Sequence, residues 1–218
     1  MTVGQRNDVL DGPGLVALWQ SASGWLAANA TSINAINVFP VPDGDTGSNM
    51  TLTFEAAVEA AAEAPATASE AARLMARGAL MGARGNSGVI LSQIIRGFSE
   101  GLVDVAVATP VDLARAFVAA RQAAYASVPR PVEGTILTVI DAAATAARES
   151  ADRLPGDCTA LIRATVEAAR AAVARTPDLL PVLKEAGVVG YRDRVAELLP
   201  RLGAESGVGA VPVDAVPA

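Results

Sequence analysis

Apolar residues recur along this chain at the three-and-four spacing of helices that bury one face. Leu15, Leu18, Trp19, Trp25 and Leu26 predict a first helix from about Gly14 to Asn34, interrupted or loosened near Ser23-Gly24. The period then stops. Pro40, Pro42, Gly44 and Gly47 make Ala35 to Gly47 a structured loop, and a second helix follows from about Asn49 to Glu63, closed by Pro65. Thr67-Ala68-Ser69-Glu70 reads as a capping box opening a helix to about Leu80. A glycine-rich turn, Met81 to Gly88, precedes a helix that carries Val89, Ile90, Ile94 and Phe98. Thr109-Pro110 is an N-cap with proline at the first helical position, for a helix to about Ala126.

A third loop, Ser127 to Gly134, leads into a helix that buries Ile136, Leu137 and Ile140 and ends near Leu154-Pro155-Gly156. Ile162, Val166, Ala169 and Val173 line one face of a long helix; Thr176-Pro177 opens a short one ending at Gly187, and Arg192 to Leu202 forms the last. Val103, Val105 and Val107 alternate like a strand, in a run too short and isolated to make a sheet. The expectation is an all-α chain with a flexible N-terminus over 1–10, one helical domain over 11–202 and a disordered tail over 203–218.

Composition sharpens this picture. Apolar residues make up 51% of the 218, yet aromatics only 4%, so helices must pack closely through Ala, Val and Leu. A formal charge of −6 leaves no basic surface for a row of phosphates, which argues against nucleic acid. Met1 to Asp8 holds no apolar signal core, and no stretch is long enough to span a bilayer, so a cytoplasmic protein is expected. One cysteine, Cys158, cannot form an internal disulfide. With no histidine there is no imidazole base or ligand, and the sole lysine, Lys184, excludes a Walker-type phosphate loop. Carboxylates, hydroxyls, amides, arginines and backbone must carry any chemistry.

Asp43-Gly44-Asp45 sets two carboxylates close together in a loop pinned by prolines, and such hard oxygens suit Mg²⁺ with water and phosphate completing its shell. A calcium loop fails on spacing: with Asp43 at position one, position six is Ser48 and position twelve Phe54. Gly82-x-x-Gly85-x-x-Gly88 is not the dinucleotide fingerprint and follows a helix. A glycine turn at a helix start is instead a seat for phosphate oxygens, with Gly88 expected to resist enlargement because amides must approach the phosphates there. Asn49 and Met50, starting a helix after the acidic loop, would add a second set of amides.

Three segments together are recognisable: Asn37 to Met50, Gly78 to Gln93, and Pro131-Val132-Glu133-Gly134-Thr135-Ile136-Leu137-Thr138-Val139. They strongly resemble the dihydroxyacetone kinase L-domain family over roughly Asp11 to Val189, and within it look most like the N-terminal kinase domain of bacterial fatty acid kinase. The resemblance implies a closed barrel of about eight antiparallel helices with the nucleotide in loops at one end. It further implies two Mg²⁺ ions bridging ATP or ADP phosphates to Asp43 and Asp45, which would be the catalytic pair, with Asn37 as a third ligand where dihydroxyacetone enzymes carry aspartate. The nucleotide would meet Thr46, Gly47, Ser48, Asn49 and Met50, then Gly85, Asn86, Ser87 and Gly88, and finally Thr135 and Ile136, while Arg84 could offset phosphate charge.

The implied reaction moves the γ-phosphate of ATP to a fatty acid carboxylate presented by a separate fatty-acid-binding protein of the DegV type, with homodimer formation left open. Pro40-Val41-Pro42 and Pro131-Val132-Glu133-Gly134 favour this over a dihydroxyacetone-type subunit holding ADP as coenzyme, while a nucleotide-binding module without turnover stays open as a third reading. At Gly190-Tyr191-Arg192-Asp193 the chain departs from the family's aspartate and glycines, which would alter one wall of the pocket. The fatty acid kinase normally carries further domains, and a unit acting with such domains is expected.

Overall fold

The structure, a computed structural model, describes residues 10–63 and 65–188. These form α1 (Gly12–Ala35), α2 (Thr46–Ala60), α3 (Ala68–Gly82), α4 (Gly85–Gly101), α5 (Pro110–Ala126), α6 (Ile136–Arg153), α7 (Cys158–Leu179) and α8 (Pro181–Glu185). The all-α expectation holds. The expected helix from Arg192 to Leu202, the departure at Gly190-Tyr191-Arg192-Asp193 and the tail from Gly203 lie outside the described residues, and closure of the barrel stays an expectation with them.

Small residues set the helix directions. A Cβ on Gly47 would stand 2.2 Å from the Ala30 carbonyl oxygen, so the start of α2 lies on the end of α1. Gly78 of α3 presses on Ala56 and Ala60 of α2 and Gly82 on Ala56 and Leu52, in reverse order, and Gly97 and Gly101 of α4 press on Ala119 and Ala116 of α5. Arg121 pairs with Asp141, and Gly134 abuts Thr176 and Leu180, which runs α5, α6 and α7 up and down in turn. The loops α1–α2, α3–α4 and α5–α6, with the C-terminal end of α7, therefore share one end of the molecule. Inside, Leu15, Trp19, Phe54, Phe98, Phe117 and Ile140 line an apolar cavity of about 160 Å³. The Trp19 and Phe54 rings stack at 5.2 Å, and Phe117 meets Phe98 edge-on at 5.5 Å.

Four boundaries differ from the sequence reading. α1 runs unbroken through Ser23-Gly24, because Gly24 faces open space and its flanking turns are helical enough to carry it. α2 and α4 begin at Thr46 and Gly85, several residues before the apolar periodicity does, because a first turn needs no buried face. Pro177 sits inside α7 and opens no new helix. The Val173 carbonyl that proline leaves without an N–H instead accepts the Thr176 hydroxyl at 2.8 Å. The Val103–Val107 run makes no strand: it is a turn and bends, with Asp104 at φ +62°, and its backbone serves other segments, the Ala106 and Val105 carbonyls accepting from the amides of Ala68 and Ser69 while Ala108 bridges Leu10.

Candidate functional site

The acidic loop ends α1 and begins α2. Asp45 is the N-cap residue of α2, yet its side chain makes no cap bond. The task passes to two asparagines from the end of α1. Asn34 Oδ1 accepts from the amides of Gly47 at 2.7 Å and Ser48 at 3.1 Å, and its Nδ2 donates to Ser48 Oγ at 2.9 Å. Asn37 Oδ1 accepts from the Thr46 amide at 3.1 Å and the Thr46 hydroxyl at 2.7 Å, while its Nδ2 donates to the Val41 carbonyl at 2.8 Å. Asn37 thus ties the two strands of the loop together, with Pro42, Asp43, Gly44 and Asp45 in the arc between. Gly44 takes φ +69°, a conformation glycine adopts without cost, and both aspartates are exposed.

The glycine turn lies against this first turn of α2. A Cβ on Gly85, which has φ +56°, would fall 2.3 Å from Asn49 Nδ2. Thr53 of α2, fully buried, accepts from the Arg84 amide at 3.2 Å and donates to the Asn49 carbonyl at 2.7 Å, locking the entry of α4 to α2. The first bond of α4 runs from the Gly88 amide to the Arg84 carbonyl, and α4 has no side-chain cap. Among the described residues, nothing accepts from the amides of Gly85, Asn86 and Ser87. The two helix starts therefore differ: that of α2 is satisfied by protein side chains, and that of α4 faces outward unsatisfied.

The α5–α6 loop is held by one carboxylate. Glu133 accepts from Tyr125 Oη at 2.9 Å through one oxygen and from the Thr138 hydroxyl through the other, and Thr138 Oγ1 accepts from the Gly134 amide at 2.8 Å. Desolvation, then the hydrogen bond to Glu133 and the negative charges of Glu133 and Asp141, push the Tyr125 hydroxyl up to about 12 against the opposing Arg121. Thr135 caps α6, its hydroxyl accepting from the Leu137 amide at 3.3 Å and donating to the Val132 carbonyl at 2.7 Å.

The residues singled out from sequence thus gather at one end in three groups, with different surroundings. Asp43, Asp45, Gly85 and Asn86 are exposed and Ser87 partly so, whereas Met50 packs against the core. The second set of amides expected after the acidic loop is already occupied: Thr46, Gly47 and Ser48 donate to Asn37 and Asn34, and Asn49 to the Asp45 carbonyl at 2.8 Å. Gly88 is buried, and a Cβ there would meet Thr53 Oγ1 at 2.3 Å, so helix packing demands the glycine. Arg84 is exposed and its guanidinium donates to the Ala83 carbonyl. Thr135 and Ile136 sit at the start of α6, half-buried. Asn34 and Thr53 carried no sequence signal beyond their polarity, because their partners lie up to 31 positions away.

Among the described residues no three Asp, Glu, His or Cys side chains converge into a cation cage. Two exposed carboxylates one residue apart fit Mg²⁺, which keeps several waters and takes phosphate oxygens, better than a cation needing an all-protein shell.

Residues 40–198 match the DAK2 domain. The chain belongs to the DAK2 family. DAK2 domains are kinase-type nucleotide-binding modules that take ADP or ATP. The chain is 45% identical over 181 residues, 83% of its length, to Protein YloV of Bacillus subtilis, of which this is 32%. It is 46% identical over 165 residues, 75% of its length, to an uncharacterised protein of Staphylococcus saprophyticus, of which this is 30%. The DAK2 chain thus spans about a third of the length of the curated relatives it matches. Among the described residues no helix is long and apolar enough to cross a membrane.

Proposed function

We propose that this DAK2 domain binds ATP with Mg²⁺ between the Asp43–Asp45 loop and the start of α4, and transfers the γ-phosphate to a fatty acid carboxylate presented by a separate carrier. The contrast between the two helix starts carries the reading. At α4 three free amides and the positive end of a helix dipole offer a seat for phosphate oxygens. Beside it, the arc between Val41 and Thr46 offers two exposed carboxylates, which repel bare phosphate and attract it only with a cation between them. Phosphoryl transfer asks a protein chiefly for such positioning and charge neutralisation.

The absence of histidine is no obstacle, because a carboxylate acceptor is deprotonated near neutral pH and needs no base. Magnesium bound to Asp43 and Asp45 would supply charge stabilisation. The chain's own part is to hold the phosphates at Gly85, Asn86 and Ser87, keep the acidic arc closed through Asn37, and leave the γ-phosphate open to in-line approach.

The test is an amide-resolved NMR titration with Mg²⁺ and a non-hydrolysable ATP analogue, followed by labelled-ATP transfer assays with and without a loaded fatty-acid-binding protein. Shifts concentrated at Gly85, Asn86 and Ser87, and acyl phosphate formed only with the carrier, are expected. Binding without those shifts would move the phosphate seat elsewhere. Efficient phosphorylation of free fatty acid, or of dihydroxyacetone, would refute carrier dependence.

A further inference from the structure

We infer that Asn34 and Asn37 are positioning residues for the two aspartates, and that Asn37 closes the acidic arc as a latch instead of entering the metal's shell. This rests on the magnesium–nucleotide reading of the site. The direction of the Asn37 amide is fixed on both sides by backbone: its oxygen accepts from the Thr46 N–H and its nitrogen donates to the Val41 carbonyl. The Thr46 hydroxyl also donates to that oxygen, so both lone-pair directions are in use. For the oxygen to reach a cation, the amide would have to release the Thr46 N–H at the first position of α2. Asn34 does the corresponding work one residue on, taking the amides of Gly47 and Ser48. A helix start usually caps itself from the adjoining residue; here that residue is Asp45, whose carboxylate is left free of cap duty. The two asparagines thus do the capping that would otherwise turn Asp45 inward, and they hold both ends of a loop whose centre is charged and exposed.

Aspartate at these positions separates the two roles, because it keeps the acceptor and loses the donor. At position 37 the donor bond to the Val41 carbonyl is required to close the arc, and a carboxylate oxygen there would repel that carbonyl. At position 34 the donor bond is replaceable, because Ser48 Oγ can turn and donate to the carboxylate instead.

The experiment titrates the folded chain with Mn²⁺ alone, read by paramagnetic broadening of backbone amide signals in the acidic loop, and then with Mg²⁺ and the ATP analogue. A latch predicts that Asn37→Asp weakens Mn²⁺ binding on the order of tenfold despite its added negative charge, and speeds hydrogen exchange at Thr46. A ligand role predicts the opposite sign, tighter Mn²⁺ with the new carboxylate. Asn34→Ala should weaken binding and speed exchange at Gly47 and Ser48, and Asn34→Asp should restore both. Circular dichroism confirms that each variant is folded, and Asn34→Asp, with its cap intact, keeps the comparison available if Asn34→Ala unfolds. Equal or tighter Mn²⁺ binding by Asn37→Asp, or failure of Asn34→Asp to restore slow exchange, would overturn the latch. Wild-type protein that takes neither Mn²⁺ nor nucleotide would overturn the functional reading itself and leave the latch nothing to position.

Discussion

Gly88 of α4 faces the hydroxyl of Thr53 so closely that a Cβ on the glycine would lie 2.3 Å from Thr53 Oγ1. That hydroxyl cannot retreat cheaply, since it donates to the Asn49 carbonyl and accepts from the Arg84 amide. Gly88→Ala is therefore expected to destabilise the protein by about 1–3 kcal/mol through overpacking. In a Thr53→Ala background the same change should cost less, so a thermal double-mutant cycle will show coupling between the two sites. Additive losses would mean the helices separate to make room. Nucleotide affinity lost in a Gly88 variant would report this packing, and says nothing by itself about phosphate contact.

Asp43→Asn and Asp45→Asn should abolish Mg²⁺-dependent nucleotide binding while leaving the melting temperature nearly unchanged. Both side chains are exposed, and Asp45 caps nothing, so their removal relieves local repulsion without breaking a structural bond. Calorimetry with the ATP analogue, with and without Mg²⁺, checks this. Retained Mg²⁺-dependent affinity in both variants would exclude the aspartates as ligands.

Tyr125 should titrate well above a free phenol, near pH 12. Because the folded state holds this proton more tightly than the unfolded chain, its contribution to stability is complete below pH 10 and is lost as pH rises from about 10 through 12. Ultraviolet absorbance can follow it, since the chain has two tyrosines, and the late step should vanish in Tyr125→Phe. Glu133→Gln should bring the step to lower pH by removing the neighbouring charge.

Thr176→Val should destabilise the protein by about 1 kcal/mol, because the Val173 carbonyl then loses its donor. In Pro177→Ala the restored N–H can serve that carbonyl, and the same threonine change should become nearly neutral. Chemical denaturation of the four proteins in the cycle measures the difference.

The long helices were legible in sequence because each buries an apolar stripe of regular period, and the start of α5 was legible because Thr109-Pro110 and Asp112 form a local cap. The errors fall where a local rule met a longer-range partner. Thr176-Pro177 reads as a helix start until the threonine hydroxyl is seen filling the carbonyl one turn back. Gly24 reads as a break, yet costs only its own propensity in a helix of 24 residues. At the candidate site the aspartates and the glycine turn stood out by composition. What distinguishes the start of α4 from that of α2 did not, because the two asparagines that close the latter act across 9 to 14 positions.

The glycine seams of α3 and α4 alter the usual map of mutational tolerance. Gly78, Gly82, Gly97 and Gly101 each stand where a single methyl would fall within 2.5 Å of an atom in the neighbouring helix. Truncating a large side chain beside the cavity enlarges the void at the usual cost of lost burial, whereas a methyl added at a seam meets a neighbouring helix that must move as a whole. In a library of all single substitutions, enlarged Gly and Ala positions along the seams should therefore lose folded protein as severely as truncated Leu and Phe. Drift in this sequence is constrained as much by what the helices exclude as by what they contain.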